Sequence, residues 1–163
     1  MSCDIRIATQ SDIPALVDIS RHMQDHHGAT YFKRALAQRT VFIATTGPHN
    51  AGYVHLNFSP AYAYFRQAGI PEIQDLCVVP DHRKQGIGTA LVHACMQHAK
   101  EKGHMTIGIS VALPASFGAA QRLYTGMGFM PDGFGATYDD IPLKKGDIRP
   151  VDDLLTLKMI HNL

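Results

Sequence analysis

The chain has 163 residues, 15 Lys or Arg against 14 Asp or Glu, and a formal net charge of +1 at pH 7. That near-balance argues against a protein built to coat nucleic acid or an anionic membrane, where a basic surplus is expected. The length suits one domain over 1–163 with one hydrophobic core, and no apolar run approaches the roughly 20 residues of a membrane span. Cys3, Cys77 and Cys95 are odd in number and show no CxxC spacing, which speaks against a disulfide framework and a cysteine zinc site. The opening residues, MSCDIRIATQSD, lack a charged-then-apolar signal layout, so a reducing cytoplasm is the expected compartment.

In chain order, Ile5–Ala8 reads as a short strand, and Ser11 as the cap of a helix carrying Ile13, Leu16, Val17 and Ile19. A second helix is expected around Tyr31–Gln38. Thr40–Thr45 and Ala51–Asn57 read as a hairpin turning at Gly47–Asn50. Residues 58–71, with Pro60, Gly69, Pro71 and four aromatics, read as a structured loop. Then come a strand at Glu72–Val79, a helix at Ile87–Lys102 stopped by Gly103, and a strand at Met105–Leu113. A helix at Phe117–Met127 ends at Gly128, a short strand starts at Phe129–Met130, and a last strand covers Leu154–His161. Early antiparallel strands followed by strand–helix units predict a mixed α/β fold, with a mostly antiparallel central sheet flanked by helices.

The segment DHRKQGIGTALV, residues 81–92, concentrates the chemistry. It follows a strand and Pro80 and opens a helix, whose first turn has unpaired N–H groups and a partial positive charge. Gly86 and Gly88 let a ligand approach the backbone, and Arg83 and Lys84 add charge. The sum is an anion site suited to a pyrophosphate. A Walker loop places its lysine after the glycines, and a dinucleotide fingerprint wants a third glycine where Leu91 stands, so both fit poorly.

Arg83, Gly86 and Gly88 match [RQ]xxGx[GA], and the stretch resembles the acetyl-CoA loop of the Gcn5-related N-acetyltransferases. Leu123, Tyr124, Gly128 and Phe129 in AAQRLYTGMGF resemble the family's second signature, LYxxxGF. The tract through Asp132 is also similar to a bacterial subgroup with an AQRLY…GFxPDG pattern. The resemblance implies an acyl-CoA N-acyltransferase fold and acetyl transfer to a small-molecule or protein amine. Transfer would be direct, in a ternary complex, with acetyl-CoA as donor and no metal. Arg83, Lys84, Gln85, Gly86, Ile87, Gly88 and Thr89 would hold the cofactor. Leu76, Cys77 and Val78 would bind its thioester arm through their backbone, with the Val78 N–H facing the oxyanion.

Acetyl transfer needs an amine freed of its extra proton, a stabilised oxyanion and a proton for the departing thiolate. The resemblance implies Tyr124 as the proton donor and Glu72 as the base. Asp75 is expected to bind substrate or act as a base, and His55 to be either a base or a sheet-face residue. Cys77 is expected to be a small, half-buried residue and not a nucleophile. The asparagine that many relatives carry before LY is missing from LPASFGAAQRLY. His22, His26 and His27 read as an exposed polar face. The aromatics of FSPAYAYF are expected either to wall an acceptor pocket or to pack their loop, and Asp132, Asp139, Asp140, Asp152 and Asp153 to lie on a solvated surface. No nucleic acid or membrane partner is expected, and relatives suggest a homodimer. A non-catalytic acyl-CoA sensor is the alternative from another class, and O-acetyl transfer or another acyl chain stays open.

Overall fold

The computed structural model describes residues 3–23 and 26–163. In order, the elements are β1 (Cys3–Ile7), α1 (Ile13–Ser20), α2 (Ala29–Gln38), β2 (Thr40–Thr46), β3 (His49–Asn57), α3 (Ala63–Ala68), β4 (Glu72–Val78), α4 (Ile87–Glu101), β5 (Thr106–Ala112), α5 (Gly118–Gly126), β6 (Met130–Tyr138), β7 (Ile141–Pro142) and β8 (Leu155–Asn162). The fold is mixed α/β, its strands mostly antiparallel and flanked by helices. The chain forms two compact units, Met1–Asn57 with Ile73–His98 and Phe58–Glu72 with Ala99–Leu163.

In the first unit the strands run in the order β1-β2-β3-β4. Leu16 and Ile19 of α1, Phe32 and Ala35 of α2, and Val41, Ile43, Tyr53 and Cys77 of the strands make one buried cluster. The helical spacing of the first four and the strand alternation of Val41 and Ile43 account for that convergence. Ser11 does not cap α1. It lies in a 3-10 turn over Gln10–Asp12. There the Thr9 N–H donates to Asp12 Oδ2 at 2.8 Å, and Arg6 of β1 donates to both carboxylate oxygens at 2.8 and 2.7 Å. This fork holds the Asp12 carboxyl down at about 2. β3 meets β4 closely at Gly52, where a Cβ would stand 2.5 Å from the Cys77 carbonyl oxygen and 3.3 Å from Val78 Cα. Beyond it the Val79 N–H donates to the Ala51 carbonyl at 2.9 Å.

In the second unit the order is β5-β8-β6-β7. The expected 58–71 loop contains α3, a six-residue helix too short to be stable on its own. Packing holds it: Phe65 is 1% exposed and its ring covers Gly108, where a Cβ would stand 2.2 Å from the ring. Burying such a side chain is worth about 1.5–3 kcal/mol. β6 is longer than the short strand expected. It carries an irregularity between Pro131 and Ala136, with Gly133 and Gly135 at φ +91° and +78°. β6 turns into β7 at Asp139 and Asp140, both left-handed, at φ +49° and +62°, a conformation that Asp tolerates better than most residues. Among the described residues, no helix is long and apolar enough to cross a membrane.

Candidate active site

The 81–92 segment lies in the first unit, as a 3-10 turn over Pro80–His82 followed by a loop into α4. Lys84 and Gly86 are left-handed, at φ +59° and +80°. The first bond closing the helix runs from the Ala90 N–H to the Gly86 carbonyl at 2.9 Å, so the amides just before Ala90 have no helical acceptor. A Cβ on Gly86 would meet nothing within 4 Å, so space is open there for a ligand against the backbone. Arg83 is folded back, its Nε donating to the Val78 carbonyl at 3.0 Å, while Gln85 Nε2 donates to the Asp81 carbonyl at 3.0 Å. These bonds shape the loop. The buried apolar positions of α4, Ile87, Leu91, Val92 and Cys95, anchor that helix behind the loop.

β4 differs from the regular strand expected. Asp75 is left-handed, at φ +53°, so strict alternation from Glu72 to Val78 is broken in its middle. Backbone strain of this kind costs about 1–3 kcal/mol and gathers at functional sites. The Asp75 side chain is 30% exposed. Its Oδ2 takes a hydrogen bond from the Tyr31 hydroxyl of α2, and lies 3.5 Å from the Arg39 guanidinium and 3.3 Å from His55 Nδ1 of β3. His55 is wholly buried, and its Nε2 has no hydrogen-bond partner. Burial pushes its pKa down to about 4, against the opposing pull of Asp75, so the ring is neutral at pH 7. His27 stacks on Tyr31 with ring centroids 3.7 Å apart.

Cys77 is buried, its thiol pushed up to about 11 by burial, and its Sγ lies 3.7 Å from the Ile19 carbonyl. A thiol so seldom ionised is a poor nucleophile at neutral pH. α1 stops at Ser20, and His22 and His26 are exposed; residues 24 and 25 between them lie outside the described residues. Among the described residues no group of three or more His, Cys, Asp or Glu is placed to hold a metal ion.

In the second unit Tyr124 of α5 is 6% exposed, and burial raises its phenol to about 12. It is therefore protonated at neutral pH and can donate a proton but not accept one. Glu72 sits in surroundings unlike those a base needs. It is 1% exposed, and Lys158 Nζ, equally buried, donates to its Oε1 at 2.8 Å. Lys158 also donates to Asp140, and its Nζ lies 5.1 Å from the Tyr62 ring centroid. A base must reach the amine or a water beside it, whereas this carboxylate is enclosed and already balances a lysine. Three of the five aspartates expected on a solvated surface have defined partners. Asp140 takes Lys158, Asp132 accepts from Tyr62 at 2.8 Å, and Asp152 accepts from Tyr138 at 2.8 Å. Of the loop aromatics, Tyr62 and Phe65 pack inward, and Tyr64 stacks on Phe134 at 3.9 Å.

Tyr31, Arg39 and Lys158 escaped the sequence reading. Tyr31 and Arg39 carry no local motif. Lys158 left one trace, a charge inside a strand whose neighbour Met159 is also buried.

Residues 37–131 match the model of an acetyltransferase (GNAT) domain. Ribosomal-protein-S18-alanine N-acetyltransferase from Escherichia coli has a similar structure, with a TM-score of 0.73 at 19% identity over 99% of this chain and 94% of that one. Ard1 from Thermoplasma volcanium reaches 0.76 at 14% identity over 100% and 99%. YncA from Salmonella typhimurium, solved with its cofactor acetyl-CoA, reaches 0.70 at 19% identity over 99% and 94%. At these identities the likeness is one of fold. No curated protein sequence matches the chain.

Proposed function

The chain belongs to the GNAT acetyltransferase family, and on that premise we propose that it moves the acetyl group of acetyl-CoA to an amine of a small molecule or a protein, by direct transfer in a ternary complex. The observation that carries this reading is the loop before α4, where Gly86 is left-handed with open space in front of it and the following amides lack helical acceptors. Such a loop suits the pyrophosphate of the donor. In the reaction the amine nitrogen, having lost a proton, bonds to the thioester carbonyl carbon, and the carbon–sulfur bond breaks. The Val78 N–H is assigned to the developing oxyanion. Tyr124 is assigned to protonate the departing thiolate; its phenol holds its proton at neutral pH. The Glu72 carboxylate is assigned instead to balancing Lys158.

Thermal unfolding with acetyl-CoA, CoA, ATP and NADH tests the donor. A ligand at 100 times its Kd stabilises by about 2.7 kcal/mol, and the CoA species alone are expected to do so. A larger shift with ATP or NADH sinks the reading. With an acceptor in hand, Tyr124→Phe is expected to keep the acetyl-CoA shift and lower kcat by about a hundredfold. An unchanged kcat removes Tyr124 from the chemistry.

A further inference from the structure

Resting on the acetyltransferase reading, we propose that Arg83 is a positioning residue of the oxyanion site. Through the N–H of its Nε it fixes the backbone on either side of Val78, so that the Val78 N–H is aimed at the thioester oxygen, and its charge is secondary to that bond. The first ground is where the side chain goes. The 3-10 turn over Pro80–His82 closes with the His82 N–H on the Val79 carbonyl at 2.9 Å and the Arg83 N–H on the Pro80 carbonyl at 3.1 Å. The turn brings the Arg83 side chain back to the end of β4, where Nε donates to the Val78 carbonyl at 3.0 Å. Burial raises the Cys77 thiol and the Arg83 charge opposes it, in keeping with a guanidinium that lies along the strand.

The second ground is that this bond completes a clamp. The peptide joining Val78 to Val79 is held on both sides, its carbonyl by Arg83 and its N–H by the Ala51 carbonyl at 2.9 Å. The peptide joining Cys77 to Val78 is confined by Gly52, where a Cβ would stand 2.5 Å from the Cys77 carbonyl oxygen. Peptide groups are planar and stiff, so holding the two that flank Val78 leaves its dihedrals little freedom. The direction of the Val78 N–H is set by that restraint. An oxyanion donor is effective only when it is aimed in advance at the place where charge develops.

The third ground is the place of the nitrogen along the side chain. Glutamine carries Nε2 where arginine carries Nε, and both bear an N–H. Lysine has a methylene there and its charge one bond further out. The pattern that Arg83 fits, [RQ]xxGx[GA], thus admits the two residues that share this N–H and leaves out the one that shares only the charge. A need for charge alone is met by lysine, so the choice of residues points to the bond.

The test uses the full chain, acetyl-CoA isotope-labelled at the thioester carbonyl, and the variants Arg83→Gln, Arg83→Lys and Arg83→Met. Arg83 is exposed, so all three are expected to fold, and thermal unfolding checks this. Infrared difference spectra at saturating donor read the carbonyl stretch, which falls when an N–H donates to its oxygen. A downshift from free acetyl-CoA is expected in the wild type and in Arg83→Gln, and most of it is expected to be lost in Arg83→Lys and Arg83→Met. For the best amine among spermidine, tyramine and a lysine-containing peptide, the latter two variants are expected to lower kcat roughly tenfold or more, and Arg83→Gln to recover most of that loss. A downshift that survives in Arg83→Lys and Arg83→Met, with only donor affinity weakened, assigns Arg83 to the pyrophosphate and overturns the inference. So does a downshift lost in Arg83→Gln, or a wild-type spectrum without one. Failure of the wild type to bind acetyl-CoA, in contrast, brings down the acetyltransferase reading itself.

Discussion

Asp75 in the first unit and Glu72 in the second are three positions apart on one strand, yet their surroundings differ in kind. Glu72 and its partner Lys158 are each 1% exposed, whereas Asp75 keeps 30% of its side chain exposed and meets Tyr31, Arg39 and His55 through one oxygen. An enclosed ion pair is shielded from solvent, and each charge is held by the other. A carboxylate filled on one oxygen and open on the other is rigid and still able to bind. Two acidic residues that look equivalent in the sequence thus separate into an enclosed ion pair and a partly exposed carboxylate.

The largest expected effect comes from breaking the enclosed pair. Lys158→Met removes the buried ammonium that Glu72 and Asp140 share, and breaking a buried pair of this kind costs about 3–5 kcal/mol. Urea unfolding measures it, and a loss under about 1 kcal/mol would mean the pair is not as enclosed as its geometry indicates.

Next is the pH response of the open cluster. His55 is held down at about 4, chiefly by burial, while the ring in the unfolded chain titrates near 6.5. Below that value the unfolded chain takes up a proton that the folded one resists. Stability is therefore full above about pH 6.5 and falls as the pH drops toward 4, by on the order of 3 kcal/mol in all. Asp75 favours the charged ring, while Arg39 and His27 oppose it. His55→Gln is expected to flatten this slope; an identical slope in the variant would assign the response to other groups, though not to Asp12, whose contribution is lost only as the pH falls from 3.8 through about 2.

The smallest effect concerns the strand that carries Asp75. Gly52→Ala forces a methyl group toward the Cys77 carbonyl, an overpacking that costs about 1–3 kcal/mol. It is expected to shift β4 and to weaken acetyl-CoA binding while leaving the Lys158 pair intact. Calorimetric titration with acetyl-CoA checks this, and unaltered affinity would separate β3 packing from the donor site.

Much of the fold was legible in order and type. The strands β1 to β5 and the helices α2 and α4 fall within a few residues of their periodic patterns, because alternation and helical spacing are written locally. The pattern did not reveal α3, since six residues with Pro60 nearby carry little helical signal and Phe65 finds its partner at Gly108, far along the chain. Nor did it reveal the length of β6, whose positive-φ glycines read as breakers but bend the strand without ending it.

The loop at 83–89 and the LY motif were visible because their chemistry depends on contiguous residues: glycine spacing, a helix start and a tyrosine before a glycine stop. On these the sequence alone determined the fold class and the expectation of an acyl-CoA donor. Which carboxylate is open and which is enclosed was decided only by tertiary structure. Glu72 meets a lysine 86 positions away and Asp75 a tyrosine 44 positions away. Burial and pairing arise from the meeting of distant segments, and a local pattern of residues holds no record of which segments will meet.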